Sequence, residues 1–448
     1  MKRLLAVLLA ICLLASLAAC TQSEPSTSSA GGDTPSATES KEESTPPASD
    51  VTIRFWQAGG DTAGAADIMN ELLTKFTEET GIKVEYQAYP WANDPHVTFQ
   101  TSIAGGDVAD LLIVGSPFDW VLAGSGQLLA LDDYIEEDIK NDLMGVFANE
   151  CVYEGEGDLS GKYISMPLYG DARTIFYNKA IFDEAGVEYP EESWTHEEFI
   201  EAARKLTGTY GGKQVYGFGT SASLSSQYLP FIWNYGGNIL NEDNTAPGTD
   251  TEEWRKGIED FMVLFNEGLV PPGSEAISLA DILTMFMNGE VAMMIGTSDY
   301  ATQIRNSEDF DTENFGVGIM PHEEYQTAYA GADVFVIPAI SEHPEEAAQL
   351  INFMLRTENQ LEYAKTVGFF PAVQSAAEDT YYSEDPIRAA FADAVNHGRF
   401  YVKTSYSGGV TPILSATIQE FIAGTTDIDG YQQSLTDQLK ALIAEQEE

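Results

Sequence analysis

Val51-Thr52-Ile53-Arg54-Phe55-Trp56-Gln57-Ala58-Gly59-Gly60-Asp61 is the stretch on which the fold turns. Val51, Ile53 and Phe55 alternate with polar residues, the period of a strand with one buried face, and the run ends in a glycine-rich turn. Ile68, Met69, Leu72, Leu73 and Phe76 follow at helical spacing, and Gly81 supplies a stop. Ile82-Lys83-Val84-Glu85-Tyr86 then alternates again. Strand, helix and strand in that order make a βαβ unit, and such units build parallel sheets.

The same grammar recurs further along. Leu111 to Val114 is an apolar run of strand length. Thr195 and Glu198 form a capping box ahead of a face made by Phe199, Ala202, Ala203 and Leu206, with Gly208 as the expected end of that helix. Leu279, Ile282, Leu283 and Phe286 read as a helix, Asn288-Gly289 as a turn, and Val291 to Ile295 as a strand closing at Gly296. The class is therefore α/β. Ligands of open α/β sheets sit beyond the carboxyl ends of the strands, where Gln57 to Asp61, Gly115 to Asp119 and Gly296 to Tyr300 are expected to lie.

Upstream of Val51 the chain carries an address. Lys2 and Arg3 precede an apolar run from Leu4 to Ala19 that is short for a permanent membrane helix and reads as a signal peptide, residues 1–19. Its end, Leu17-Ala18-Ala19-Cys20, resembles the bacterial lipobox, so Cys20 is the expected lipidated N-terminus of the mature chain. Residues 21–50 hold only Ser, Thr, Pro, Gly, Ala, Gln, Lys and acids, a composition that cannot bury a core. With Cys20 they make a flexible tether, residues 20–50, with a typical end-to-end distance of about 30 Å.

The body, 51–448, is long enough for two lobes, and 44% hydrophobic residues with 11% aromatics supply their cores. A net charge of −49 excludes nucleic acid and an anionic lipid surface as partners, because both would be repelled. Of three cysteines, Cys12 leaves with the signal and Cys20 is taken by lipid. Cys151 alone remains, so no disulfide forms within the body.

Six stretches now carry a resemblance. They are Phe76 to Val84, Ile103-Ala104-Gly105-Gly106 with Asp110, Leu128 to Tyr134, Met166-Pro167 with Phe176 to Phe182, Phe286 to Met293, and Glu345 to Ala348 before Ile351-Asn352-Phe353. In this order and spacing the chain resembles the extracellular solute-binding proteins of ABC sugar importers, the group that includes the maltose-type binding proteins. The resemblance implies a two-lobed, periplasmic-binding-protein-like fold with a ligand cleft between lobes and hinge crossovers. Carried onto this chain, crossings are expected near Tyr169 to Ala172, near Ala330 to Val334 and near Leu355 to Gln360. Lobe 1 would then be 51–169 with 334–357, and lobe 2 would be 172–329 with 360–448. It also implies a monomer that hands its solute to ABC permease subunits in the membrane, without enzymatic activity or cofactor.

Sugars need acids and amides for their hydroxyls and aromatic rings for their C–H faces. Trp56, Gln57 and Asp61 end the first strand, and Ser116 and Asp119 follow the Leu111 to Val114 strand. Asp171 falls where the resemblance implies a ligand-binding carboxylate. Ser226, Gln227 and Trp233 are the candidates in the second lobe. Where many relatives in the resemblance carry a stacking Trp, this chain has Asp299 and Tyr300, and towards the C-terminus Tyr406 offers a single ring. That loss of aromatic faces favours a mono- or disaccharide over a long oligosaccharide. Asp299 and Asp333 leave open a small polar or amine-bearing solute, whereas a phosphorylated one is disfavoured, Arg173 being the main cation expected in the cleft.

A surface glycan-active enzyme is the rival class, since glycosidases also use paired carboxylates. No Gly-x-Ser-x-Gly elbow, phosphate-cradling loop or His-Glu-x-x-His helix is present. Five histidines, His96, His196, His322, His343 and His397, are scattered singly, so no metal site is expected. A surface adhesin or chemosensory binder would use the same lipid anchor.

Overall fold

A computed structural model describes residues 49–446 apart from 191, 192 and 309. The expected signal peptide and Cys20 lie outside the described residues, as does nearly all of the tether.

The first βαβ unit forms as the alternation predicts. β1 (Thr52–Ala58) pairs in parallel with β2 (Lys83–Tyr89) and with β3 (Leu111–Gly115), and the helix Ala65–Thr80 lies between β1 and β2 in the chain. That helix buries Ile68, Met69, Leu72, Leu73 and Phe76 and stops where Gly81 adopts φ 77. β4 (Met166–Ala172) belongs to this first sheet, and β5 (Thr174–Asn178) belongs to a second. Arg173 alone separates them, so the chain changes lobes within one residue.

The second sheet is completed by β6 (Gly208–Tyr210), β7 (Lys213–Gly219), β8 (Val291–Gly296) and β9 (Phe315–Gly318), in the order β6-β7-β8-β5-β9. The helix His196–Leu206 begins with the capping box expected at Thr195 and Glu198. It closes at Leu206, because Gly208 is already committed to pairing with Val215. The chain returns to the first sheet with β10 (Ala328–Val336), which runs antiparallel to both β3 and β4. The first sheet is thus mixed rather than purely parallel, with β1 to β3 as its parallel part.

The third passage falls later than the helix near Leu355 to Gln360. The helix Thr357–Val367 packs on the helix Ala65–Thr80, and β11 (Phe370–Pro371) pairs with β4 in the first sheet. The helix Pro386–Asn396 touches both sheets, through β4 and β10 on one side and β5 and β9 on the other. The buried face of the helix Thr357–Val367 runs through Asn359, Gln360, Tyr363, Ala364 and Val367, and helical spacing alone cannot tell which lobe it covers. β12 (Gly398–Arg399) then joins β10 alongside Ala328 and Tyr329. The last two helices, Ser407–Ile422 and Ile428–Ala444, pack on each other, and the first of them also touches the helix Phe118–Gly124.

Candidate functional site

Both sheets bring chain segments to the place where β4 becomes β5. Asp171, near the end of β4, reaches across to the second lobe. Its Oδ1 accepts hydrogen bonds from the Ser298 amide at 3.1 Å and the Ser298 hydroxyl at 2.9 Å, at the start of the helix Ser298–Arg305 that follows β8. Its Oδ2 is buried, has no hydrogen-bond partner, and lies 3.9 Å from the Arg173 guanidinium. Burial lifts the Asp171 carboxyl to about 6, against the pull of Arg173 and Ser298.

Two further carboxylates gather here. Asp333 sits where the β10 register slips, opposite Gly115 of β3 and Tyr169 of β4, and a bulge of this kind re-aims a side chain. It accepts the Tyr169 hydroxyl hydrogen bond, and burial raises it to about 7. Asp299 accepts from the Thr297 hydroxyl and, at 3.1 Å, from the Gln303 amide, and it too is raised by burial. Tyr300 beside it is pushed up to about 12 by burial and by Asp299.

The aromatic wall on the first lobe comes from a residue the sequence reading missed. Trp91 opens a short turn after β2 and is 41% exposed. A Cβ on Gly59 would lie 2.3 Å from its indole nitrogen, and one on Gly115 would lie 3.0 Å from its ring edge. Gly59 also has φ 75, so glycine is required there twice over. The Asp61 carboxylate accepts the Trp91 backbone N–H at 3.3 Å, which makes Asp61 a support for this ring. His96 meets Trp91 edge-on and stacks on Phe118 at 4.1 Å. Its Nε2 accepts the Gly115 N–H at 3.1 Å, and burial lowers it to about 4, so it stands neutral. A lone Trp in a turn carries no periodic signal, and only the two facing glycines betray it.

A four-layer stack leads away from Asp171. Arg173 covers Tyr329 at 4.7 Å, Tyr329 lies on Trp233 at 5.6 Å and 14°, and Arg399 covers Trp233 at 4.8 Å. Beyond it opens a cavity of about 350 Å³ lined by Trp233, Asn238, Asn241, Glu242, Asn244 and Arg399 among others. The Tyr406 hydroxyl donates to the Asn244 carbonyl at 2.6 Å, at the edge of this loop. Lys403 also lines the cavity, with its ammonium 3.4 Å from Glu150. Arg399 and Lys403 thus join Arg173 as the cations of this region.

Asp171, Asp299, Tyr300 and Asp333 come together at the junction, and Trp233 lines the cavity, where Asn244 accepts a hydrogen bond from Tyr406. Gln57 stands apart: it is fully buried, its amide donates to Tyr363 at 3.0 Å and its carbonyl oxygen accepts from Tyr86 at 2.7 Å. Trp56 packs on Tyr89 and Phe99. Asp119 is buried and accepts from the Ser165 hydroxyl at 2.7 Å, with burial raising it to about 6. Ser226 and Gln227 are buried in a short turn ahead of the Trp233 helix, and the Ser116 amide donates to Ala332 at 2.9 Å.

Two α/β lobes joined by repeated crossings, with acids and aromatics at the join, define a binding protein of the two-lobed, maltose-binding type. The sequence profile of the bacterial extracellular solute-binding proteins matches residues 59–361, and the chain belongs to that family. A protein of Brucella abortus (strain 2308) named only as a binding protein is 26% identical over 376 residues, covering 82% of this chain and 87% of its own length. The sn-glycerol-3-phosphate-binding periplasmic protein UgpB of the same organism is 25% identical over 364 residues, covering 75% and 79%. Among solved structures, a solute-binding protein of an ABC transporter from Thermotoga lettingae bound with α-D-tagatose superposes with a TM-score of 0.77. It is 20% identical and covers 88% of this chain and 100% of that one. Maltose-bound MalE3 of T. maritima gives 0.76 at 19% identity, covering 88% and 100%.

Proposed function

We propose that this chain captures a small polyhydroxylated solute, a mono- or disaccharide, between its lobes and passes it unchanged to the permease subunits of an ABC importer. The observation that carries the reading is Asp171. One of its oxygens already bridges the lobes through Ser298, and the other is a buried acceptor without a donor, beside Arg173 and the Tyr329–Trp233 stack. A sugar hydroxyl is the donor such an oxygen lacks, and a ring face is what an exposed indole such as Trp91 covers. The solutes in the names of its relatives and structural neighbours, sn-glycerol 3-phosphate, tagatose and maltose, are all hydroxylated.

Because both lobes contribute, the solute favours the closed arrangement only through contacts it makes on each side, and Arg173 between β4 and β5 is a natural hinge. The protein works as a monomer, held outside the cell membrane by lipid on Cys20 with residues 21–50 as its leash.

Thermal-shift screening of the full chain against sugars and polyols tests the capture. A solute at a hundred times its dissociation constant adds about 2.7 kcal/mol of stability. Asp171→Asn is expected to abolish that shift. A panel in which no sugar or polyol moves the melt, while a glycan is cleaved, would transfer the chain to the enzymes. Labelling with a palmitate analogue tests the anchor, which is lost as an idea if Cys20→Ala is labelled as strongly as the unaltered chain.

A further inference from the structure

Arg399 stands out in the ion-pair pattern. Arg54, Arg173, Arg204, Arg255, Arg305, Arg356 and Arg388 each have a carboxylate within 4.0 Å. Arg399 is the one described arginine without such an acid, in a chain with 71 acidic and 22 basic residues. Its fixed contacts are neutral: the Asn238 side-chain oxygen, to which it donates, and the Trp233 ring it covers. It is held at the end of β12 by pairing beside Tyr329, and it forms part of the wall of the 350 Å³ cavity.

An uncompensated guanidinium in a partly desolvated wall is expensive to keep, and burial lowers Arg399 to about 10, which still leaves it charged at neutral pH. Neighbouring Lys403 does not share the task, since Glu150 at 3.4 Å and Glu154 at 3.9 Å neutralise it. One acid, Glu242, lines the same cavity without pairing to Arg399, so the wall offers an acceptor as well as a cation. Asn238, Asn241 and Asn244 also line it; the Asn238 and Asn241 amides each give one N–H, to Gly236 and Thr245 respectively, and keep a second.

We propose that Arg399 anchors an anionic oxygen group carried by the solute, a carboxylate or a phosphate, so that the ligand is an acidic sugar rather than a neutral one. This rests on the sugar-binding reading above and sharpens it. The guanidinium fork presents two parallel N–H donors, the geometry that a carboxylate or a phosphate accepts. The amides and Glu242 would take ring hydroxyls of the same solute.

Matched sugars test this by calorimetric titration of the purified full chain: D-glucose, D-glucuronate and glucose 6-phosphate, and D-galactose with D-galacturonate. In at least one series the acidic member is expected to bind roughly 10- to 100-fold more tightly than the neutral one, the range of a charge-assisted hydrogen bond. Arg399→Gln should erase that ratio, Arg399→Lys should keep part of it, and Glu242→Gln should raise it. The uronate and phosphate arms decide which anion is preferred. A neutral sugar that binds as well as its acidic partners, or a preference that survives in Arg399→Gln, overturns the inference and leaves the sugar reading intact. If no sugar binds but inorganic phosphate titrates in an Arg399-dependent way, the anion site stands and the sugar reading falls. If inorganic phosphate and every sugar fail to bind, the inference falls. Where Arg399→Gln fails to fold, the comparison of Arg399→Lys with the unaltered chain serves in its place.

Discussion

The junction around Asp171 and the cavity wall at Arg399 bury charge of opposite sign only a stack of side chains apart. At the junction three carboxylates cluster, with Asp171 and Asp299 beside the Arg173 guanidinium and Asp333 beside Asp171. At the cavity one guanidinium faces no carboxylate within ion-pair distance, although the chain is strongly acidic. Neither arrangement serves stability at neutral pH and above, because burial opposes the charged form of each of these groups. Perturbed ionisable groups beside a cavity are candidates for a ligand site, which is the reading proposed above.

The sharpest way to break the comparison is at Asp333. Burial lifts its carboxyl from 3.8 to about 7, whereas in the unfolded chain it ionises near pH 4. The native chain thus keeps a proton that the unfolded chain has lost, and stability falls as pH rises from about 4 to about 7. Asp333→Asn should remove that loss and raise the unfolding free energy of the solute-free chain at pH 8 by on the order of 4 kcal/mol, with no gain at pH 4. Urea melts at the two pH values check it, and equal effects at both would contradict the assignment.

Asp171→Asn should act in the same direction by a smaller amount, about 3 kcal/mol at pH 8, because its carboxyl is raised only from 3.8 to about 6. Its solute affinity should fall as its stability rises, and the pair of measurements separates a binding carboxylate from a structural one. On the other side of the stack, Arg399→Gln should leave unfolding free energy within about 1 kcal/mol. Relief of a buried charge there is offset by loss of the contact with Trp233. Smallest of all, Trp91→Ala should scarcely move the melting temperature, since the ring is 41% exposed, yet should weaken solute binding roughly tenfold by removing a stacking face. A large loss of stability from that change would return Trp91 to the core.

Much of this architecture was legible in the chain. The βαβ start, the Gly81 stop, the Thr195–Glu198 capping box and the Val291 strand all follow from local periodicity and capping chemistry, which neighbouring residues settle among themselves. Asp171, Asp299, Tyr300 and Asp333 were named and do meet. Gln57 was named for the same reason, its place at the end of β1, but it points into the core, where Tyr86 and Tyr363 use its amide. Trp91 and Arg399 were not named, because neither belongs to a motif. Trp91 is recognised by two glycines from other strands, and Arg399 by the acid it does not have.

Alternation, helical spacing and glycine stops are properties of residues close in sequence, and for this protein they decided the α/β class, while the family was legible in the order and spacing of six matching stretches. Which carboxylates converge, which lobe the helix after Leu355 covers and which arginine stays unpaired depend on segments up to hundreds of residues apart. Those choices belong to packing and desolvation, which exist only once the lobes are folded against each other.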